Sequence, residues 1–214
     1  MKLLRLAPLL ALACGGNSGG GTGPCTPGLA TQLVKTTGDP APWYFNNLLP
    51  MALSVTVRDA NNCAVPSIVV NWSITTGGGG LSGAQSTTNS SGIATITDSV
   101  GSASPQVVMA TSTGLPNQAF QIQASAPPTS GAVDVMDNSF NPASSVIQTG
   151  GTITWTWRGA NTHNLTFTAG PSPLPANHAN ATSGTTSRTI TNVGTYDYVC
   201  TNHAGMSGTI TVVH

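Results

Sequence analysis

Charged residues are scarce in this 214-residue sequence. Charged residues make up 6% of the chain, Glu is absent, and six Lys and Arg balance six Asp, so the formal net charge is zero. A nucleic-acid-binding surface needs clustered basic side chains. The basic residues beyond the first five positions are Lys35, Arg58, Arg158 and Arg188. The composition therefore excludes a nucleic-acid partner and leaves little charge to steer a protein partner.

Aromatic residues are also scarce, at 5%, and a shortage of large apolar side chains is one signature of disorder. Short runs that alternate apolar and polar residues argue against disorder here, because alternation is the pattern of β-strands. Residues 51–58 alternate in this way, which predicts one buried and one solvent-facing side. Gly, Pro and Asn separate many such runs. The sequence predicts an all-β fold of two β-sandwich domains in tandem.

No apolar run is long enough to cross a bilayer, which takes about 20 residues. Residues 1–5 are basic and apolar, and residues 6–13 are apolar up to Cys14. This start resembles the signal peptide of bacterial lipoproteins over residues 1–14, with Cys14 as the lipidated residue; an ordinary signal peptide is the alternative. We therefore expect an exported protein, periplasmic or at the cell surface, that contacts a membrane only through a lipid anchor at Cys14.

Two stretches of biased composition divide the rest of the chain. Residues 15–24 are rich in Gly and predict a flexible tether, and residues 127–131 predict a Pro-rich linker. The domains expected between and after them cover residues 25–126 and residues 132–214.

The first domain carries scattered turn and core positions of a known kind. Residues 57–66, 70–74 and 91–95 resemble the bacterial Ig-like domains of the invasin and intimin type. The resemblance covers residues 30–126 and implies that the domain at residues 25–126 is an Ig-like sandwich that acts as a spacer or an adhesive stalk.

The sequence contains four cysteines, and their pairing bears on the second domain. If Cys14 is lipidated, three remain and one is unpaired within the monomer. Cys25 and Cys63 can form a disulfide within the first domain, which an oxidising compartment would preserve; Cys200 could instead pair with either of them. A free thiol in an exported protein is prone to oxidation, and a metal bond would explain why Cys200 is there.

Four residues of the second domain have side chains that bind soft metals. Cys200, His203 and Met206 lie within seven residues, and His163 lies 37 residues upstream at the start of a predicted strand. One thiolate, two imidazoles and a weak thioether make up the type 1 copper ligand set. Zinc is the rival metal, because two His and one Cys can also hold it in a tetrahedral site.

Longer motifs around these residues extend the pattern over the domain. Residues 140–142, 150–155, 163–167 and 194–200, with 206–210 after them, resemble a cupredoxin of the plastocyanin and amicyanin kind, in order, over residues 132–214. The Cys-x2-His-x2-Met spacing is similar to that of amicyanin. The resemblance implies one type 1 copper per chain, with three strong ligands and one axial thioether. The strong ligands would be His163, Cys200 and His203, and the axial ligand would be Met206.

The same resemblance implies further roles. Asn164 would join the two ligand-bearing loops by hydrogen bonds, and the ring edge of His203 would reach the surface to pass electrons. One or both of Trp155 and Trp157 are expected in the core, and His178, in a Pro-rich loop, is expected in solvent.

Single-electron transfer between redox protein partners, which dock near His203, is the leading hypothesis for function. A copper carrier or scavenger is one alternative, and a cell-surface structural or adhesive protein with a cupredoxin module is another. An enzyme is not expected, since multicopper enzymes need additional histidines and this chain has four.

Overall fold

A computed structural model describes residues 25–37 and 39–214. The predicted signal peptide with Cys14 and the predicted tether at residues 15–24 lie outside the described residues. Within those ranges no helix has the length and apolar character needed to cross a membrane. The described chain forms two β-sandwiches one after the other, which confirms the predicted fold class.

The first sandwich has eleven strands within the described residues. They are β1 (Ala30–Lys35), β2 (Trp43–Tyr44), β3 (Leu53–Asp59), β4 (Val69–Thr76), β5 (Gly79–Leu81), β6 (Gln85–Thr87), β7 (Ile93–Ile96), β8 (Asp98–Val100), β9 (Gln106–Thr111), β10 (Gln118–Ile122) and β11 (Ala124–Ser125). A three-stranded sheet in the order β1-β3-β7 and a four-stranded sheet in the order β10-β9-β4-β6 enclose one apolar core.

Strand β3 is buried on both sides, so the prediction of a solvent-facing side for residues 51–58 is wrong. Val55 and Val57 are fully buried, as expected, but Ser54 and Thr56 are only 8% and 5% exposed. The Thr56 hydroxyl pairs with that of Thr36 at 2.8 Å, which satisfies a polar group that would otherwise be costly to bury. Alternation in the sequence identified the strand but not what covers its polar side.

The second sandwich has nine strands within the described residues. They are β12 (Ser130–Met136), β13 (Ser139–Asn141), β14 (Ser144–Gln148), β15 (Gly151–Trp157), β16 (His163–Ala169), β17 (His178–Ala181), β18 (Thr185–Ile190), β19 (Gly194–Val199) and β20 (Ser207–Val213). They form a four-stranded sheet in the order β13-β12-β15-β18 and a five-stranded sheet in the order β14-β20-β19-β16-β17. The first residues of β12, Ser130 and Gly131, pair in parallel with β15 and belong to the predicted linker at residues 127–131.

Aromatic side chains fill the core of the second sandwich. Trp155 and Tyr198 are fully buried and meet edge to face at a ring-centroid distance of 5.5 Å. Phe167 packs edge to face on Trp155 at 6.0 Å. Trp157 is 5% exposed, so the expectation that one or both tryptophans belong to the core is confirmed, and both do. Edge-to-face contacts of this kind add stability beyond the apolar area that the rings bury.

Candidate metal centre

Strand pairing brings the chemically interesting residues of the second domain to a single edge of its five-stranded sheet. His163 is the first residue of β16, Cys200 follows the last residue of β19, and Met206 precedes the first residue of β20. The antiparallel pairs β16–β19 and β19–β20 place Thr166 beside Val199 and Val199 beside Ser207. His163 and Cys200, which are 37 positions apart in sequence, therefore meet because β16 begins and β19 ends at the same edge.

The segment from Cys200 to Met206 closes on itself through its own backbone. The Cys200 N–H donates to the Met206 carbonyl at 3.0 Å, and the Met206 N–H donates to the His203 carbonyl at 3.2 Å. Gly205 has a φ of 81°, a left-handed conformation that glycine adopts without steric cost. The short spacing between Cys200 and Met206, together with the turn at Gly205, holds the loop tightly between β19 and β20.

Three of the four predicted ligand residues direct possible ligand atoms toward one point. The Cys200 Sγ lies 3.8 Å from the His163 Nδ1 and 3.5 Å from the His203 Nδ1. The ligand atoms of these three residues all lie within 4.8 Å of one another. His163 is fully buried, Cys200 is 3% exposed, and His203 is half-buried. Met206 is 2% exposed and lines the same cavity as Cys200 and His203.

The spacing of these atoms fits a bound metal ion. Metal–nitrogen and metal–sulfur bonds of about 2.0 and 2.3 Å, at tetrahedral to trigonal angles, place nitrogen and sulfur about 3.5–3.7 Å apart. Of the two observed distances, 3.5 Å lies at the lower end of that range and 3.8 Å lies just above its upper end. The donor set combines a soft thiolate with two imidazoles, which suits copper and also zinc.

Cys200 has a sulfur atom that is free to bind a metal. Cys25 and Cys63 form a disulfide in the first domain, with their Cα atoms 5.7 Å apart. Among the described residues, Cys200 is the cysteine without a disulfide partner. Of the pairings that the sequence left open, the structure therefore has the one that keeps the thiol available.

Asn164 joins the two ligand-bearing segments, as the resemblance implied. Its Nδ2 donates to the Thr201 Oγ1 at 2.7 Å, and its Oδ1 accepts from the Thr201 N–H at 2.9 Å. The Asn164 N–H also points at the Cys200 Sγ, 3.5 Å away. A further residue that sequence reasoning missed, Asn180 of β17, accepts hydrogen bonds from the side chains of Asn164 and Asn202 at 3.0 Å each. The ligand segments are thus tied to a third strand.

Asp137, just after β12, is a second residue that sequence reasoning missed. Its Oδ1 lies 3.4 Å from the Nε2 of His163, the ring nitrogen that faces away from Cys200. The backbone N–H groups of Asn161 and Ala160 hold the pKa of the Asp137 carboxyl below its usual value. No local pattern distinguishes Asp137 in the sequence, because its contact with His163 spans 26 residues.

His178 is not in a solvated loop, and that expectation is wrong. It begins β17, is half-buried, and packs on the Trp157 ring at a centroid distance of 4.7 Å. The indole of Trp157 in turn donates to the His163 carbonyl at 3.2 Å. Pairing of β17 with β16 brings His178 to this position, and the Pro-rich composition before it hid the strand.

The architecture and the His-Cys-His group define the second domain as a cupredoxin. A family model for bacterial Ig-like domains (group 1) matches residues 46–125, and one for copper binding proteins of the plastocyanin/azurin family matches residues 129–213. A plastocyanin from Scenedesmus fuscus is 37% identical over 83 residues, which cover 34% of this chain and 85% of the plastocyanin. The chain belongs to the plastocyanin/azurin family of copper-binding proteins, with a bacterial Ig-like domain preceding its cupredoxin domain.

Solved structures similar to the chain include other cupredoxins. A reduced, Cu(I) form of an amicyanin mutant is 32% identical to this chain. The match covers 39% of this chain and 81% of the amicyanin chain, and the TM-score is 0.36. An oxidised plastocyanin from Dryopteris crassirhizoma is 25% identical to this chain. The match covers 38% of this chain and 98% of the plastocyanin chain, and the TM-score is 0.32.

Proposed function

We propose that this protein is an exported type 1 copper protein that carries single electrons between redox protein partners. His163, Cys200, His203 and Met206 would hold one copper ion per chain. The observation that carries the proposal is the convergence of the Cys200 Sγ and the two histidine Nδ1 atoms, with sulfur–nitrogen distances of 3.5 and 3.8 Å. The proposed role is electron carriage and not catalysis.

Copper bound at this centre would supply a one-electron couple between Cu(II) and Cu(I). The chain's contribution is a ligand set that suits both states, since sulfur favours Cu(I) and imidazole accommodates Cu(II). His163 and Cys200 are held by buried strand ends, and the Asn164–Thr201 hydrogen bonds fix the distance between their loops. A frame of this kind limits how far the ligands move when the charge changes. Burial of Cys200 also keeps the thiolate from solvent oxidants.

His203 is the candidate ligand nearest to solvent, and we propose that partners dock around it. Its ring is half-buried, while Ala204 and Gly205 beside it are exposed and carry no charge. Docking on such a surface would depend on apolar contact more than on long-range steering. We therefore expect association rates that depend only weakly on salt.

The remaining parts of the chain would set where the centre operates. We propose a lipid anchor at Cys14 and a tether at residues 15–24, which would keep the protein at a membrane facing the periplasm or at the cell surface. The Ig-like domain at residues 25–126 would serve as a spacer. Its disulfide between Cys25 and Cys63 suits an oxidising compartment.

The test is a Cu(II) titration of the chain from residue 25 onward, followed by visible absorption and EPR, beside the variants Cys200→Ser and His178→Gln. We expect an intense thiolate-to-copper band that saturates at one equivalent, is lost in Cys200→Ser and persists in His178→Gln, because His178 lies outside the ligand group. A chain that stays colourless, or whose colour survives the loss of Cys200, would refute the proposal.

A second measurement separates electron carriage from copper delivery. An electron carrier keeps its metal in both oxidation states, so the reduced protein should retain copper beside a Cu(I) chelator and give a reversible one-electron wave in voltammetry. Rapid loss of copper to the chelator upon reduction would favour a carrier or scavenger instead.

A further inference from the structure

The buried histidine of the candidate centre has a carboxylate behind it. His163 directs Nδ1 toward the Cys200 Sγ at 3.8 Å, and its Nε2 lies 3.4 Å from the Oδ1 of Asp137. A neutral imidazole that binds a metal through one nitrogen carries its proton on the other. His163 therefore presents an N–H donor to Asp137 when Nδ1 is a ligand.

Asp137 is held in place by the segment that leads to His163. Its Oδ1 accepts a hydrogen bond from the Asn161 N–H at 2.9 Å. The N–H of Gly159 donates to the Val135 carbonyl at 3.0 Å, which joins this segment to β12. A Cβ at position 159 would overlap the backbone and the carboxylate of Asp137, so glycine allows the close approach. The carboxylate is thus anchored although its side chain is 41% exposed.

We infer that Asp137 is a positioning residue for the copper centre: it orients the His163 ring and, through its negative charge, favours Cu(II) over Cu(I). The inference rests on the proposed function. A carboxylate that accepts the second N–H of a ligand histidine fixes the ring orientation and raises the basicity of the ligand nitrogen. A negative charge near the metal also stabilises the more positive oxidation state.

The chain offers a matched control shortly before Asp137 in the sequence. Asp134 lies on β12, its side chain is 45% exposed, and its Oδ1 pairs with the Nε of Arg158 at 3.3 Å. Its hydrogen bonds among the described residues involve none of the four candidate ligands. Asp134→Asn therefore removes the same charge from the same segment of the chain without touching His163.

The experiment compares the wild-type chain with Asp137→Asn, Asp137→Ala and Asp134→Asn. Reduction potentials come from voltammetry, and Cu(II) and Cu(I) affinities come from competition with chelators. Asn keeps an oxygen that accepts from His163 and removes the charge, so we expect Cu(II) to weaken about tenfold more than Cu(I), a rise in potential of about 59 mV. Ala also removes the acceptor, and we expect its Cu(II) affinity to fall by about 10- to 100-fold. Asp134→Asn should change both quantities much less.

A second readout does not depend on bound copper. Nitrogen-15 NMR of the metal-free chain at neutral pH reports which ring nitrogen of His163 carries the proton. We expect Nε2–H to predominate in the wild type and in Asp137→Asn, and a mixture of tautomers in Asp137→Ala.

The outcomes separate this inference from the proposed function. A wild type that binds no copper overturns both. If the wild type is blue but the reduction potential of Asp137→Asn coincides with that of Asp134→Asn, the role of Asp137 is overturned and the copper centre is left intact. The same conclusion follows if the His163 tautomer is unchanged in Asp137→Ala.

Discussion

Replacing Asp98 with Asn should stabilise the Ig-like domain at neutral pH, because this carboxyl group is buried with too few partners. Asp98 is fully buried, and its Oδ1 accepts one hydrogen bond from the Nε2 of Gln106 at 3.1 Å. Its Oδ2 and the Oε1 of Gln106 both lack a hydrogen-bond partner among the described residues. Burial raises the pKa of Asp98 from 3.8 to about 6, and the hydrogen bond from Gln106 opposes part of that effect.

The raised pKa sets the size and the sign of the effect. At about 1.36 kcal/mol for each tenfold change in proton affinity, a pKa of about 6 in place of 3.8 corresponds to about 3 kcal/mol. The folded chain binds this proton more tightly than the unfolded chain, so the stability that it contributes is fully present below pH 3.8. That stability is lost as the pH rises through about 6.

Calorimetry of the full chain at a series of pH values from about 4 to 7 tests this reasoning. The side-chain amide of the Asp98→Asn variant cannot ionise, and it offers a donor to the Gln106 Oε1. We expect the substitution to raise the stability of the Ig-like domain by up to about 3 kcal/mol at about pH 7 and to remove this part of its pH dependence. The cupredoxin transition should not move, and Asp197→Asn on its exposed surface should leave both transitions in place. Parallel stability–pH curves for the wild type and Asp98→Asn would refute the argument.

Much of the candidate centre could be predicted from the sequence because its chemistry is local. Cys200, His203 and Met206 lie in one short loop, and residue types alone identify them as soft ligands. The longer strands were also predictable, since runs such as residues 151–157 alternate between buried and partly exposed positions over their whole length. His163 needed the family resemblance, because a single histidine at a strand start carries no signal of its own.

The residues that support the centre could not be predicted, for a physical reason. Asp137 and Asn180 act through contacts that span 26 and 16 residues, and nothing local separates Asp137 from Asp134. Short strands such as β5 and β17 have too few residues to show alternation, and their pairing partners hold them in place. Asp98 lies in β8, another strand of only three residues.

Two further substitutions test the frame of the centre, one through hydrogen bonds and one through packing. Asn164→Ala removes both contacts with Thr201, so chelator competition should show a fall in Cu(II) affinity of about tenfold; an unchanged affinity would mean that the Asn164 side chain does not help to hold the loops. Gly208→Ala places a Cβ where it overlaps the buried Tyr198 ring, which should cost the cupredoxin domain about 1–3 kcal/mol of unfolding free energy in denaturant titrations. Gly80→Ala, where a Cβ meets open space, is its control and should change stability by less than about 0.5 kcal/mol. Equal effects of the two glycine substitutions would show that close packing of Tyr198 against β20 is not what stabilises this edge.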